Sequence, residues 1–131
     1  MSLSDENKNI AIKLLVEKSD RNFQQALANS ELGYWDLVAN RLYYSVFHAV
    51  TALMLKDGVK VRSHKGTSAM FGQHYVLTGK FDREEGILYS RLQTMREKAD
   101  YQNVFSLEVE EGKKLIALTE ALLIKIKTHL S

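Results

Sequence analysis

Not one of the 131 residues is a proline, where ordinary usage would supply about 5%. The residue that most sharply ends a helix, by lacking an amide proton and crowding the preceding turn, is therefore missing. Punctuation falls to glycine. Gly33, Gly58 and Gly79 each follow an apolar run, as residues that close a helix do. Between them apolar residues recur at three, four and seven, and the β-branched residues are scattered rather than alternating. The pattern predicts an all-α chain.

Five helices can be drawn. The first runs from Ser4 to Leu32, with Ile12, Val16, Phe23, Ala26 and Leu27 on its inner face. The second runs from Tyr34 to about Lys56 and is apolar around most of its circumference, including Leu42, Val46, Phe47 and Leu53. Such a helix belongs at the centre. Asp57–Arg62 is the connecting loop. Ser63 caps a third helix through Thr78 that Gly66 and Gly72 weaken by about 1 kcal/mol each. Asp82 and Glu85 form a capping box that opens a fourth, through Leu92 to about Ala99. Ser106 caps a fifth, with Val109, Ile116, Thr119, Leu123, Ile126 and Leu130 buried.

Length and charge narrow the function classes. A chain of this size is one domain, residues 1–131. A net charge of +2 is too small for general nucleic-acid binding, so any such contact is local. No cysteine is present, which excludes a disulfide framework and thiolate metal sites. No histidine pair has zinc-site spacing, so no metal or cofactor is expected. No stretch approaches the roughly 18 apolar residues of a membrane span. The polar N-terminus lacks a signal-peptide core. A cytoplasmic protein is expected.

Against this background one polar stripe stands out. Arg41, Tyr44 and His48 fall three and seven apart on the apolar second helix, and so on one face. An inward arginine needs an anionic partner. Asp100, at the end of the fourth helix beside Arg96 and Tyr101, is the carboxylate best placed to supply it. A histidine in such surroundings is more commonly a hydrogen-bonded core or interface residue than a base. His64 and Lys65 at the start of the third helix would add attraction for an anion. His74 and His129 are expected to face solvent. Two readings stay open: an Arg41–Asp100 bridge that holds helices together, or a pocket where arginine and histidine meet a phosphate.

Three motifs carry a family resemblance. Asn40-Arg41-x-Tyr43-Tyr44-x-x-Phe47-His48, then Ser63-His64-x-Gly66 with Phe71, then Arg96-x-x-Ala99-Asp100-Tyr101 resemble the HEPN domain in its small stand-alone prokaryotic form. The resemblance extends from about Ala11 to Leu130. It implies an up-and-down bundle of about five helices, a homodimer, and a partner that is a minimal nucleotidyltransferase-like protein in a toxin–antitoxin or related pair. It also implies a nucleotide- or RNA-phosphate site at Arg41, Tyr44, His64, Arg96, Asp100 and Tyr101.

Many similar proteins are metal-independent ribonucleases built on an arginine followed a few residues later by a histidine. Arg41 and His48, with six residues between them, match that spacing and are the catalytic candidates. Arg96 is followed by Asp100 and Tyr101 where a histidine would stand. An aspartate cannot supply the cation or acid of an imidazole, which sets this chain apart from the pattern. The rival reading is a non-enzymatic dimerisation or interaction module whose polar cluster is structural.

Overall fold

The computed structural model describes residues 4–60, 63–100 and 106–131, together with the backbone of Tyr101. Five α-helices follow in chain order: α1 (Asp5–Glu31), α2 (Trp35–Asp57), α3 (His64–Phe71), α4 (Arg83–Tyr101) and α5 (Val109–Leu130). No strand is present among the described residues. The local signals act as the residues dictate. The Ser4 side chain accepts from the Asn7 amide at 3.2 Å, and Ser63 accepts from Gly66 at 2.9 Å. A Cβ on Gly66 would sit 2.9 Å from that Ser63 hydroxyl oxygen, so the cap itself accounts for the glycine. The capping box closes both ways: Asp82 N donates to Glu85 at 2.8 Å and Glu85 N to Asp82 at 3.2 Å.

α2 is central. It packs on α1, α3, α4 and α5, whereas α4 and α5 meet only along a thin edge. Val38, Leu42, Tyr43, Val46, Val50 and Met54 are completely buried along it. Burying an aliphatic side chain contributes about 1.5–3 kcal/mol relative to exposure, so this helix carries much of the stability. α1 lays Ser19, Asn22, Phe23 and Ala26 against its neighbours. α5 contributes Gly112, Leu115, Thr119, Leu122, Leu123 and Ile126. Gly112 faces the Trp35 indole so closely that a Cβ would lie 2.4 Å from the ring.

Several expectations are corrected. The third helix does not run uniformly to Thr78. α3 stops at Phe71 and a π-helical turn, Gly72–Val76, follows it. Gly72 opens that wider turn, which buries Tyr75 beside Phe71. Ser106 is not the cap of α5. Glu108 occupies that position without a side-chain bond, and Val109 is 47% exposed rather than buried. Phe47 is half-buried, because its ring lies at the rim of the bundle. Residues 61–62 of the expected loop lie outside the described residues.

Candidate functional site

The stripe on α2 forms as helical phase requires. The Arg41 guanidinium lies over the Tyr44 ring at 5.3 Å, and the Tyr44 and His48 rings are 6.1 Å apart. Arg41 is half-buried, and its donors meet neutral oxygens. Nη1 donates to Asn22 Oδ1 at 2.7 Å and to Gln25 Oε1 at 3.2 Å, both on α1. Nε and Nη2 donate to Asn40 Oδ1 at 2.9 and 2.5 Å. The expected Arg41–Asp100 bridge is therefore not formed. Asn40 stands between them, its Nδ2 donating to Asp100 Oδ1 at 3.4 Å. The sequence argument demanded a carboxylate, but three amide oxygens satisfy a half-exposed guanidinium.

Asp100 turns instead to the other arginine. Its Oδ2 is 3.5 Å from Arg96 Nη1, one helical turn earlier on α4. That same Nη1 donates to the Tyr44 hydroxyl at 3.4 Å. The Arg96 guanidinium also lies 5.0 Å over the Tyr43 ring and 5.9 Å from that of Tyr44. Arg96 Nε is buried without a hydrogen-bond partner among the described residues, and so is the hydroxyl of Tyr89. Two guanidinium groups thus flank Tyr44, one held by amides and one by phenol rings.

α3 adds an imidazole from outside the stripe. His64 Nδ1 lies 2.8 Å from the Tyr43 hydroxyl, and its ring stacks on Phe47 at 4.1 Å. Burial pushes the Tyr43 phenol up to about 12, so the phenol keeps its proton within this hydrogen bond. Burial, and secondarily the Arg96 charge, holds His64 below its usual range. The imidazole is then neutral. His48 is likewise held low, first by burial and then by Lys18, His64 and Arg41. It forms no side-chain hydrogen bond among the described residues, and its ring meets Phe47 edge-on at 5.4 Å. A neutral imidazole beside two arginines can take a proton, and the arginines can offset negative charge.

Arg41, Tyr44, His48, His64, Arg96 and Asp100 are thus brought into one cluster. The Tyr101 side chain lies outside the described residues. Sequence reasoning missed Asn22, Gln25 and Asn40 as holders of Arg41, and Tyr43 as the anchor of His64. A signal existed for one: Asn22 lies on the same stripe of α1 as Ser19 and Ala26, a polar residue in a buried register. His129 is half-buried rather than fully solvent-facing, its ring tilted over Phe81 at 4.8 Å. His74 is exposed. No group of three or more metal-ligating side chains occurs among the described residues. No helix among them is long and apolar enough to cross a membrane.

The chain is 34% identical over 128 residues to a Methanocaldococcus jannaschii protein provisionally named a toxin, covering 95% of this chain and 93% of that one. A second protein of that organism, also provisionally named a toxin, is 29% identical over 121 residues, or 91% of this chain and 81% of the relative. A UPF0332 protein of Thermotoga maritima is 37% identical over 84 residues, 64% of each chain. The model of the HEPN domain matches residues 12–129. With that match spanning nearly the whole bundle, the chain belongs to the HEPN domain family.

Proposed function

We propose that the protein is a toxin-like HEPN module that binds a nucleotide or RNA phosphate between Arg41 and Arg96. One observation carries the reading: the Arg41 guanidinium is held in place entirely by neutral oxygens. Its charge is positioned but not cancelled, leaving one Nη2–H and a full positive charge to meet an anion such as a phosphate. In a metal-independent cleavage, His48 takes the 2′-OH proton. The 2′-oxygen bonds to phosphorus as the bond to the 5′-oxygen breaks, and the proton passes to the departing oxygen. Arg41 and Arg96 offset the charge on the phosphorane. Asp100 stands where a second imidazole on α4 would, so the base is assigned to His48 of the stripe, with His64 stacked on Phe47 beside it.

The toxin names of the two archaeal relatives support a two-component setting, and on the family resemblance the partner we propose is a nucleotidyltransferase-like protein. A homodimer fits the exposed apolar side chains of the long helices, Ile10, Leu14, Leu118 and Ile124 among them. Light scattering should then give twice the chain mass of 15.0 kDa.

A second reading has its own support, since Asn22 and Gln25 let Arg41 tie α1 to α2. Replacing Arg41 by alanine separates the two. In the phosphate site, losing charge-assisted bonds of about 1.5–3 kcal/mol weakens nucleotide or RNA affinity roughly 10–100-fold. Arg96→Ala should act alike. A wild-type protein that binds neither ligand, with Arg41→Ala lowering only the melting temperature, leaves the structural module standing.

A further inference from the structure

One helical turn beyond His64 of the cluster, α3 begins to line a groove that the proposed function does not use. His64, Ser68, Gly72 and Val76 follow each other at intervals of four, and so along one stripe of α3 and its π-helical continuation. Ser68, Gly72 and Val76 form one wall of a groove of about 560 Å³, with Arg83, Ser90, Arg91 and Thr94 of α4 among those opposite. α3 and α4 pack together and run antiparallel. At one end His64 is 2.8 Å from the hydroxyl of Tyr43, whose ring lies 5.0 Å under the Arg96 guanidinium, while at the far end Val76 lies 3.0 Å from the Cβ position of Gly86. From His64 to Val76 the stripe spans roughly 18 Å at helical rise.

The chemistry of the groove is uneven in sign. Both charged side chains that line it are arginines, and no carboxylate is among the described residues lining it. Arg91 is shared with Glu111 of α5, whereas Arg83 has no ion pair among the described residues. Ser68, Gly72, Gly86, Ser90 and Thr94 are small or hydroxyl-bearing and let a polymer backbone approach closely without dictating its sequence, while Val76 and the exposed Ile87 give the groove an apolar side. At the near end stands the ring cluster of Phe47, His64 and Tyr44, the kind of surface on which unpaired bases stack.

Resting on the phosphate site, we propose that the α3–α4 groove is the track for the neighbouring nucleotides of a single-stranded RNA. The ligand is then an oligoribonucleotide rather than a mononucleotide. One phosphate lies at Arg41 and Arg96, bases meet the Phe47–His64 rings, and a later phosphate reaches Arg83.

Gly72 supplies the test. A Cβ there meets nothing within 4 Å, and its φ of −58° suits any residue, so Gly72→Glu loads the groove with a carboxylate without straining the fold. Binding is measured with a 2′-O-methyl oligouridylate of about eight nucleotides and with the corresponding dinucleotide, neither of which can be cleaved. The longer probe should bind at least about tenfold more tightly. Gly72→Glu and Arg83→Glu should each remove that gain, with dinucleotide affinity and melting temperature at the wild-type values. Equal affinity for both lengths, or undiminished affinity for the longer probe in both variants, overturns the track and leaves the phosphate site intact. A wild-type protein that binds neither probe overturns the phosphate site and the track together. If Gly72→Glu spares RNA and instead dissociates a protein complex, the groove is a protein-docking surface and the proposal fails.

Discussion

Against α1, the polar groups of the central helix find partners at short range. Ser19 Oγ donates to the Ser45 carbonyl at 2.7 Å, and Asn22 Nδ2 donates to Lys18 O at 2.8 Å while its oxygen accepts from Arg41. Against α4 the accounting differs. The Tyr89 hydroxyl and Arg96 Nε are buried with no partner among the described residues, although the rings of Tyr43, Tyr44 and Tyr89 crowd the same seam. Folding normally satisfies buried polar atoms, because an orphan costs about 1–3 kcal/mol. One seam is therefore built for cohesion. The other holds hydrogen-bonding capacity that the fold does not use, beside the cluster that the proposed function needs.

Four substitutions and one change of pH can break that contrast. Phe23→Ala, on the α1 side and 6% exposed, should cost about 3–5 kcal/mol, read from denaturant unfolding. Phe47→Ala, at the rim of the site, should cost only about 1–3 kcal/mol because its ring is half-buried. It should also loosen His64, visible as a shift of that imidazole's proton resonances. If Phe47 proves as costly as Phe23, the site is core and the division of labour collapses.

A smaller pair tests the polar atoms themselves. Ser19→Ala removes a buried bond and should cost about 0.5–1.5 kcal/mol, whereas Tyr89→Phe removes an orphan and should be neutral or stabilising. A loss on Tyr89→Phe equal to that on Ser19→Ala would mean the hydroxyl has a partner.

The smallest effect is a pH drift. His48 and His64 both sit below the ordinary imidazole value of 6.5 when folded. As pH falls through that value the unfolded chain gains protons that the native state refuses, so stability declines with acidity. The melting temperature should fall between about pH 7.5 and about pH 5.5, and less steeply in a His48→Gln, His64→Gln double variant. A melting temperature that rises on acidification would contradict neutral native imidazoles.

Much of this architecture could be read from residues alone, because helix periodicity, the Asp82–Glu85 box and the glycine stops are local signals. The same locality explains the failure at Ser106, a residue of the right type whose chain does not yet turn helical. The cluster was half legible. Phase along one helix places Arg41, Tyr44 and His48 together, but no rule of spacing brings Asn22 and Gln25 across from α1. Tyr43 was overlooked because it lies off the stripe, one step round the helix, where it reaches His64 from the buried side. Charge reasoning also misled: it sought one carboxylate for Arg41, and α1 and Asn40 supplied amides.

The close approach of Gly112 to Trp35 bears on how α5 finds its register. From Val109 to Ile116 this is the only glycine. Sliding α5 by one turn would bring Glu108 or Ile116 against the indole, and neither can fit where even a methyl group collides. The contact acts as a detent, admitting one axial setting of the last helix. Because Trp35 is the sole tryptophan, its emission reports when that setting is reached during refolding.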